Sequence, residues 1–222
     1  MPYCYHYPHP AVTTDVVLFT IQDERLEVLL IRRGSEPFKG RWALPGGFVD
    51  IDEDLLACAK RELEEETGVT GIYLEQLYTF GTPDRDPRER VISVTYYALV
   101  PRERLTIRAA SDAKAVAWFP FHQLPGLAFD HDQIVAMAHE RLAAKLEYST
   151  IALQFMPEKF TLTQLQSVYE VVLGQRLDKR NFRRRILALN CIGECGEWLR
   201  QVNHRPAKLY RVKSPGTVEF IK

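Results

Sequence analysis

The sequence predicts an α/β (α+β) domain, residues 1–150, followed by a smaller unit, residues 151–222, made of two helices and a closing β-hairpin. Three observations predict it. Strand-like and helix-like stretches interleave as far as Tyr148, the pattern of a layered α/β domain. After Tyr148 the order becomes helix, turn, helix and two short strands. Charge divides at the same place: residues 158–222 hold 13 Lys and Arg against 6 Asp and Glu, net +7, and residues 1–157 hold 16 against 23, net −7.

The elements follow in order. Thr14–Ile21 is rich in β-branched residues, and Leu26–Arg32 follows the polar turn Gln22-Asp23-Glu24-Arg25, so the two read as a hairpin. Residues 34–47 form a loop punctuated by Gly40, Pro45, Gly46 and Gly47. Asp54–Thr67 reads as a helix stopped by Gly68. Strands are expected near Ile72–Phe80, Val91–Val100 and Ala115–Phe119, and a helix near Asp132–Leu146 completes the domain. In the smaller unit, Thr161–Leu173 is amphipathic and ends at Gly174; Asp178 then caps Lys179–Leu189. Strand candidates at Glu197–Val202 and Ala207–Val212 complete the order of a winged helix-turn-helix.

Composition narrows the function classes. A 46% hydrophobic content supports a packed core, and no apolar run approaches the roughly 18 residues that a membrane helix needs. Met1–Pro10 lacks the basic-then-apolar layout of a signal peptide. Four cysteines do not suggest a disulfide framework, and Cys191 and Cys195 lack a second pair to close a zinc site. The expectation is a cytoplasmic protein with reduced thiols. An acidic front half suits a metal; a basic back half suits a polyanion.

The strongest signal lies between Gly47 and Val69. Five residues separate Gly47 from Glu53 and seven separate Glu53 from Arg61, which opens the run Arg61-Glu62-Leu63-Glu64-Glu65-Glu66-Thr67-Gly68-Val69. Glu62, Glu65 and Glu66 stand at i, i+3 and i+4, on one helix face. Carboxylates so close repel unless a cation neutralises them, and oxygen-only donors favour a hard ion, Mg²⁺ or Mn²⁺, shared with phosphates. Leu56, Ala59 and Leu63 form the stripe expected to seat the helix. Arg61 can pair with Glu64 or Glu65, and Glu53 can approach the metal from the helix's other end. Gly46 and Gly47 let the backbone pass close to a phosphate.

This run resembles the signature of the Nudix hydrolase superfamily at every specified position. The resemblance implies an α/β/α sandwich with a mixed sheet. It also implies metal ligands at Glu62, Glu65, Glu66 and Glu53, with Arg61 in the catalytic group, and attack of water on a diphosphate link. The general base, often outside the signature, is unassigned. Gly81-Thr82-Pro83-Asp84-Arg85-Asp86-Pro87-Arg88 resembles the ADP-ribose pyrophosphatase branch, which makes Arg85 and Arg88 candidates to clamp a phosphate or stack on adenine; a polar surface turn is the alternative. Leu127-Ala128-Phe129-Asp130-His131 resembles the same branch, with His131 read as a cap or packing residue.

In the second helix of the smaller unit, Phe182, Ile186 and Leu189 face the core, leaving Lys179, Arg180, Arg183 and Arg184 outward. A basic helix in that position can enter a DNA major groove, and Arg205 and Lys208 in the wing can touch the backbone. The two halves together, nearly the whole chain, resemble Nudix-related transcriptional regulators of NAD or sugar metabolism. That resemblance implies a homodimer on a double-stranded DNA operator, with the front domain sensing ADP-ribose or a related nucleoside diphosphate compound. A second reading stays open: a dedicated ADP-ribose pyrophosphatase whose back domain only packs or dimerises.

Overall fold

The structure, a computed structural model, describes residues 6–101, 113–199, 206–215 and 217–220. The chain divides into two compact units, residues 1–19, 28–98 and 106–138 in one, and residues 20–27, 99–105 and 139–222 in the other. No helix among the described residues is long and apolar enough to cross a membrane.

Strands β1 (Ala11–Gln22) and β2 (Arg25–Arg33) form the expected hairpin. Asp23 and Glu24 at its tip both take positive φ, 48° and 57°, the handedness that matches strand twist. Val16, Val17, Leu18 and Phe19 are all fully buried, so consecutive side chains on both faces of β1 are covered, as in an inner strand. Two short strands interrupt the glycine-rich loop, β3 (Trp42–Ala43) and β4 (Gly46–Phe48), paired antiparallel with β2 and β1 respectively. The sheet runs β3-β2-β1-β6-β5, with β5 at Glu75–Phe80 and β6 at Val91–Leu99; β7 (Ala113–Pro120) pairs with β2.

Helix α1 (Leu55–Thr67) begins at Asp54, whose side chain accepts from the Leu56 and Ala57 amides at 2.9 Å. Its buried face is Cys58, Ala59, Leu63, Glu66 and Thr67. This corrects the expected stripe: Leu56 is 37% exposed, and the small Cys58 takes the inward position. Helix α2 (His131–Tyr148) buries Ile134, Val135, Ala138, Leu142 and Leu146.

In the second unit, a 3-10 segment (Ile151–Phe155) precedes α3 (Leu162–Leu173) and α4 (Lys179–Ala188). Thr161 and Gln164 form a reciprocal capping box on α3, a signature that satisfies two orphan donors at once. Phe182 and Ile186 of α4 are buried, and Phe182 meets Tyr169 of α3 edge-on at 5.2 Å. β8 (Ile192–Leu199) and β9 (Ala207–Val212) make the antiparallel hairpin. β8 starts five residues before the expected Glu197, because Gly193 and Gly196 obscure its alternation; residues 200–202 lie outside the described ones. Phe160 exchanges backbone hydrogen bonds with Tyr210, at 3.0 and 2.7 Å, and so adds a third short edge to the hairpin.

Candidate functional site

A cavity of about 360 Å³ opens in the first unit, beside α1, β4 and the start of α2. Gly46 pairs with Asp15 and Gly47 with Thr14 in the β1–β4 register. A Cβ on Gly46 would strike the Thr14 carbonyl, and one on Gly47 would fall on the Glu62 carboxylate. The glycine pair therefore lets this backbone lie directly against the carboxylates of α1.

Arg61 organises the acidic row. Its Nε and Nη2 donate to the two oxygens of Glu53 at 2.9 and 2.8 Å, and its Nη1 donates to Glu62 at 2.7 Å and to Glu65 at 3.3 Å. Nη2 also reaches the Phe48 carbonyl at 3.2 Å. Of the two expected partners Glu65 is the one present, and the fork onto Glu53, for which the planar guanidinium is well shaped, is added to it. The Arg61 hydrogen bonds hold the Glu53 carboxyl below its ordinary range. Glu62 and Glu66 line the cavity, whereas Glu53 and Glu65 are turned onto Arg61 beside it.

Glu66 is mostly buried and accepts from the Gly46 amide at 2.9 Å. Burial pushes its carboxyl up to about 8; Glu62 and Asp15 push the same way, and the Gly46 amide and Arg33 oppose them. Glu62 is raised too, first by burial. Buried carboxylates that disfavour each other's ionisation fit a hard divalent cation. Among the described residues no three His, Cys, Asp or Glu side chains stand ready as a cage.

The opposite wall is polar and aromatic. Asp15, buried, accepts from Ser93 Oγ and lies 3.6 Å from Arg85 and 3.5 Å from His131 Nε2. Arg85 lines the wall, but its side chain is only 3% exposed and makes a bidentate pair with Asp130 at 2.9 and 2.6 Å. Arg88 is 38% exposed, is held by Asp86 at 2.7 Å, and lies over Phe48 at 5.0 Å and Phe129 at 5.8 Å. Arg33 lies over the other ring contact, Phe129, at 4.9 Å. Burial and then Arg88 lower its pKa, while Glu66, Asp86 and Asp15 oppose them. His131 also lines the cavity; its Nδ1 accepts from the Leu44 amide at 2.9 Å, and burial lowers its pKa.

Of the residues expected from sequence, Gly46, Gly47, Arg61, Glu62, Glu66, Arg85 and Arg88 all line this one cavity. Asp15, Arg33, Phe48 and Phe129 join them and were not expected. Arg33 and Asp15 carried a usable signal, since each is a charge at the end or middle of an apolar strand.

In the second unit Lys179, Arg180 and Arg184 are exposed and Arg183 is half-buried. Arg185 turns away from this face: its Nη2 donates to the Glu147 and Leu146 carbonyls at 2.6 and 3.4 Å, closing the end of α2. Lys208 is exposed but tied to both Glu194 oxygens at 2.9 Å. Arg205 lies outside the described residues.

Residues 10–138 match the model of the NUDIX domain, and residues 152–212 match that of the NrtR DNA-binding winged helix domain. The chain is 39% identical, over 92% of its length and 83% of the relative's, to an ADPR responsive transcriptional repressor, NtrR, of Acinetobacter baylyi. The chain belongs to the NrtR-type Nudix regulators. The NrtR of Shewanella oneidensis, solved with a 27mer DNA, is 42% identical with a TM-score of 0.81, covering 91% of this chain and 93% of that one. The NUDIX domain of the same NrtR, solved with ADP ribose, is 41% identical over 61% of this chain and 90% of that one, with a TM-score of 0.57. An ADP-ribose pyrophosphatase of Methanocaldococcus jannaschii is 41% identical over 58% of this chain and 73% of its own. The NrtR-type family thus has a Nudix half of hydrolase type and a DNA-binding half. The reading in which the back domain only packs or dimerises is set aside, because residues 152–212 match a DNA-binding domain by themselves.

Proposed function

We propose that this protein is an ADP-ribose-responsive transcriptional repressor. The carrying observation is that one chain joins the carboxylate and arginine cavity to an arginine-faced second helix, with repressor similarity along 92% of its length. Residues 1–150 form the sensor and residues 151–222 the reader, and two copies act as a homodimer on an operator. On this reading the protein works in the cytoplasm.

The ligand's diphosphate would lie between Glu62 and Glu66 on one side and Arg33 and Arg88 on the other. Mg²⁺ or Mn²⁺, held by those two glutamates, would neutralise charge on the diphosphate and activate water. Arg61 fixes the carboxylate row through Glu53 and Glu62. Gly46 and Gly47 bring backbone close to the phosphates, and Phe48 and Phe129 offer rings to adenine or ribose. Arg85 holds the wall by its pairs with Asp130 and Asp15. Hydrolysis of ADP-ribose to AMP and ribose 5-phosphate is compatible with this acidic row.

The test is titration of a labelled duplex from the gene's own upstream region, with and without ADP-ribose, by fluorescence anisotropy. Specific binding that shifts with ADP-ribose is expected. Binding of neither duplex nor ADP-ribose would overturn the reading. Incubation with Mg²⁺ and ADP-ribose, following AMP, then separates turnover from sensing alone, with Glu66→Gln as the control.

A further inference from the structure

Helix α2 runs unbroken from His131 to Tyr148, and the division of the chain into two units falls inside it, between Ala138 and His139. Its first turn is built into the ligand cavity, which His131 lines. Asp130, just before it, takes the bidentate pair from Arg85. His131 accepts from the Leu44 amide and lies 3.5 Å from Asp15. Phe129, one residue earlier still, carries Arg33 over its ring at 4.9 Å and Arg88 at 5.8 Å. Its φ is 54°, a left-handed conformation that is costly for a bulky side chain and gathers at ligand clamps and switch segments.

The last turn of α2 is held as closely. The final carbonyls of a helix have no partner within it. Here Ser149 Oγ donates to the Lys145 carbonyl at 2.7 Å, and Arg185 of α4 donates to the Glu147 and Leu146 carbonyls at 2.6 and 3.4 Å. A cation at a helix C-terminus also meets the negative end of the helix dipole. One turn after the start of this half, His139 Nε2 donates to the Val172 carbonyl at the end of α3, 3.1 Å away. The exit from α2 has no slack. Thr150 and Glu219 exchange hydrogen bonds at 3.0 and 2.9 Å, and Ile151, Ala152 and Leu153 are buried. Arg185 therefore joins the helix proposed to read DNA to the helix that opens at the ligand cavity.

We propose that α2 carries the ligand signal to α4, and that Arg185 is the residue through which it passes. The proposal rests on the ADP-ribose-responsive reading and names the device that regulates it. A diphosphate that draws Arg33 and Arg88 onto itself takes both cations from the Phe129 ring, at the segment that opens α2. A rigid helix passes a displacement of its first turn to its last. The carbonyls that Arg185 grips then shift, and α4 shifts with them. The ligand thus has a different interaction free energy with two positions of α2, which is what coupling between two sites requires. Arg185 is a positioning residue, and its loss should uncouple the two sites while leaving each able to bind.

The experiment measures the affinity of the full-length protein for the upstream duplex, without ligand and at saturating ADP-ribose. The ratio of the two affinities is the response, and saturation keeps a change in ligand affinity out of it. The wild type should respond by a factor of about 5 to 150. Arg185→Met keeps the length of the side chain and removes its donors. Its response should fall to about twofold or less, with ligand-free duplex affinity and ADP-ribose affinity as in the wild type. Asp130→Asn, at the other end of α2, should also lower the response and leave ligand-free duplex affinity unchanged; it decides the matter if Arg185→Met folds poorly. A full response in either folded variant overturns the proposal. A loss of ligand-free duplex affinity in Arg185→Met as large as the lost response also overturns it, since that places Arg185 in the DNA contact or the fold. If the wild type does not bind the duplex, or binds it without responding to ADP-ribose, the repressor reading itself fails and this proposal with it.

Discussion

Helices α1 and α4 both gather like charges within two turns, yet they treat them oppositely. On α1 the carboxylates are held by neighbours: Glu66 is buried on the Gly46 amide, and Glu62 and Glu65 share Arg61 with Glu53 from the preceding loop. On α4 Lys179, Arg180 and Arg184 stay exposed, Arg183 is half-buried, and Arg185 is tied to carbonyls at the end of α2. Like charge held inside by a fork and a backbone amide gives a fixed site for a small ligand. Like charge left in solvent gives a surface that a long polyanion can neutralise along its length.

The largest expected effect tests the outward helix. Arg180→Ala with Arg184→Ala should reduce affinity for the upstream duplex at least thirtyfold, at about 1–3 kcal/mol per base contact, without moving the melting temperature. Anisotropy and thermal denaturation on the same sample measure both. If affinity is unchanged, α4 is not the reading helix and the contrast collapses.

Next comes the wall behind the acidic site. His131→Ala leaves the buried Leu44 amide without its acceptor, which should cost about 1–3 kcal/mol, read as a shifted urea midpoint. The same residue gives a pH dependence. Burial lowers the folded-state pKa of His131 below its ordinary value, so the unfolded chain binds the proton more readily. Stability should therefore be full above a pH of about 6.5 and fall as pH drops below it. Comparing urea midpoints across that range for wild type and His131→Gln isolates the contribution, which the variant should lack.

The acidic row and the basic helix were legible because each is written in consecutive residues at helical spacing. Helix α1 with its Gly68 stop and the two winged-domain helices were legible for the same reason, and the hairpin from its β-branched run and polar turn. The ligand wall was not. Asp15, Arg33 and Phe129 come from β1, the end of β2 and a loop, and only the sheet brings them together. Pattern also overvalued Leu56, a strong apolar residue whose angle around α1 faces outward, and undervalued Cys58. Strands β3 and β4 are two and three residues long, too short for any periodicity to reveal.

The smallest expected effect sharpens the contrast at α3. Thr161→Ala removes one half of a capping box and should lower stability by about 1 kcal/mol, seen as a melting shift of a few degrees. Duplex affinity should change little, since Thr161 is buried and its hydroxyl is taken up by the Gln164 amide.

Gly46 sets a limit on how this molecule can vary. The smallest side chain already lands on the Thr14 carbonyl and the Asp15 backbone, which cannot swing aside, so residue size cannot grade the outcome there. In a library of all single substitutions screened for ligand response, position 46 should be all-or-none, with alanine as damaging as tryptophan. Phe48, two residues on and 39% exposed, should show a graded series, from full response with other aromatics to weak response with small residues. Two neighbouring positions would then differ sharply in tolerance, and the boundary between them would trace the line where backbone ends and ligand begins.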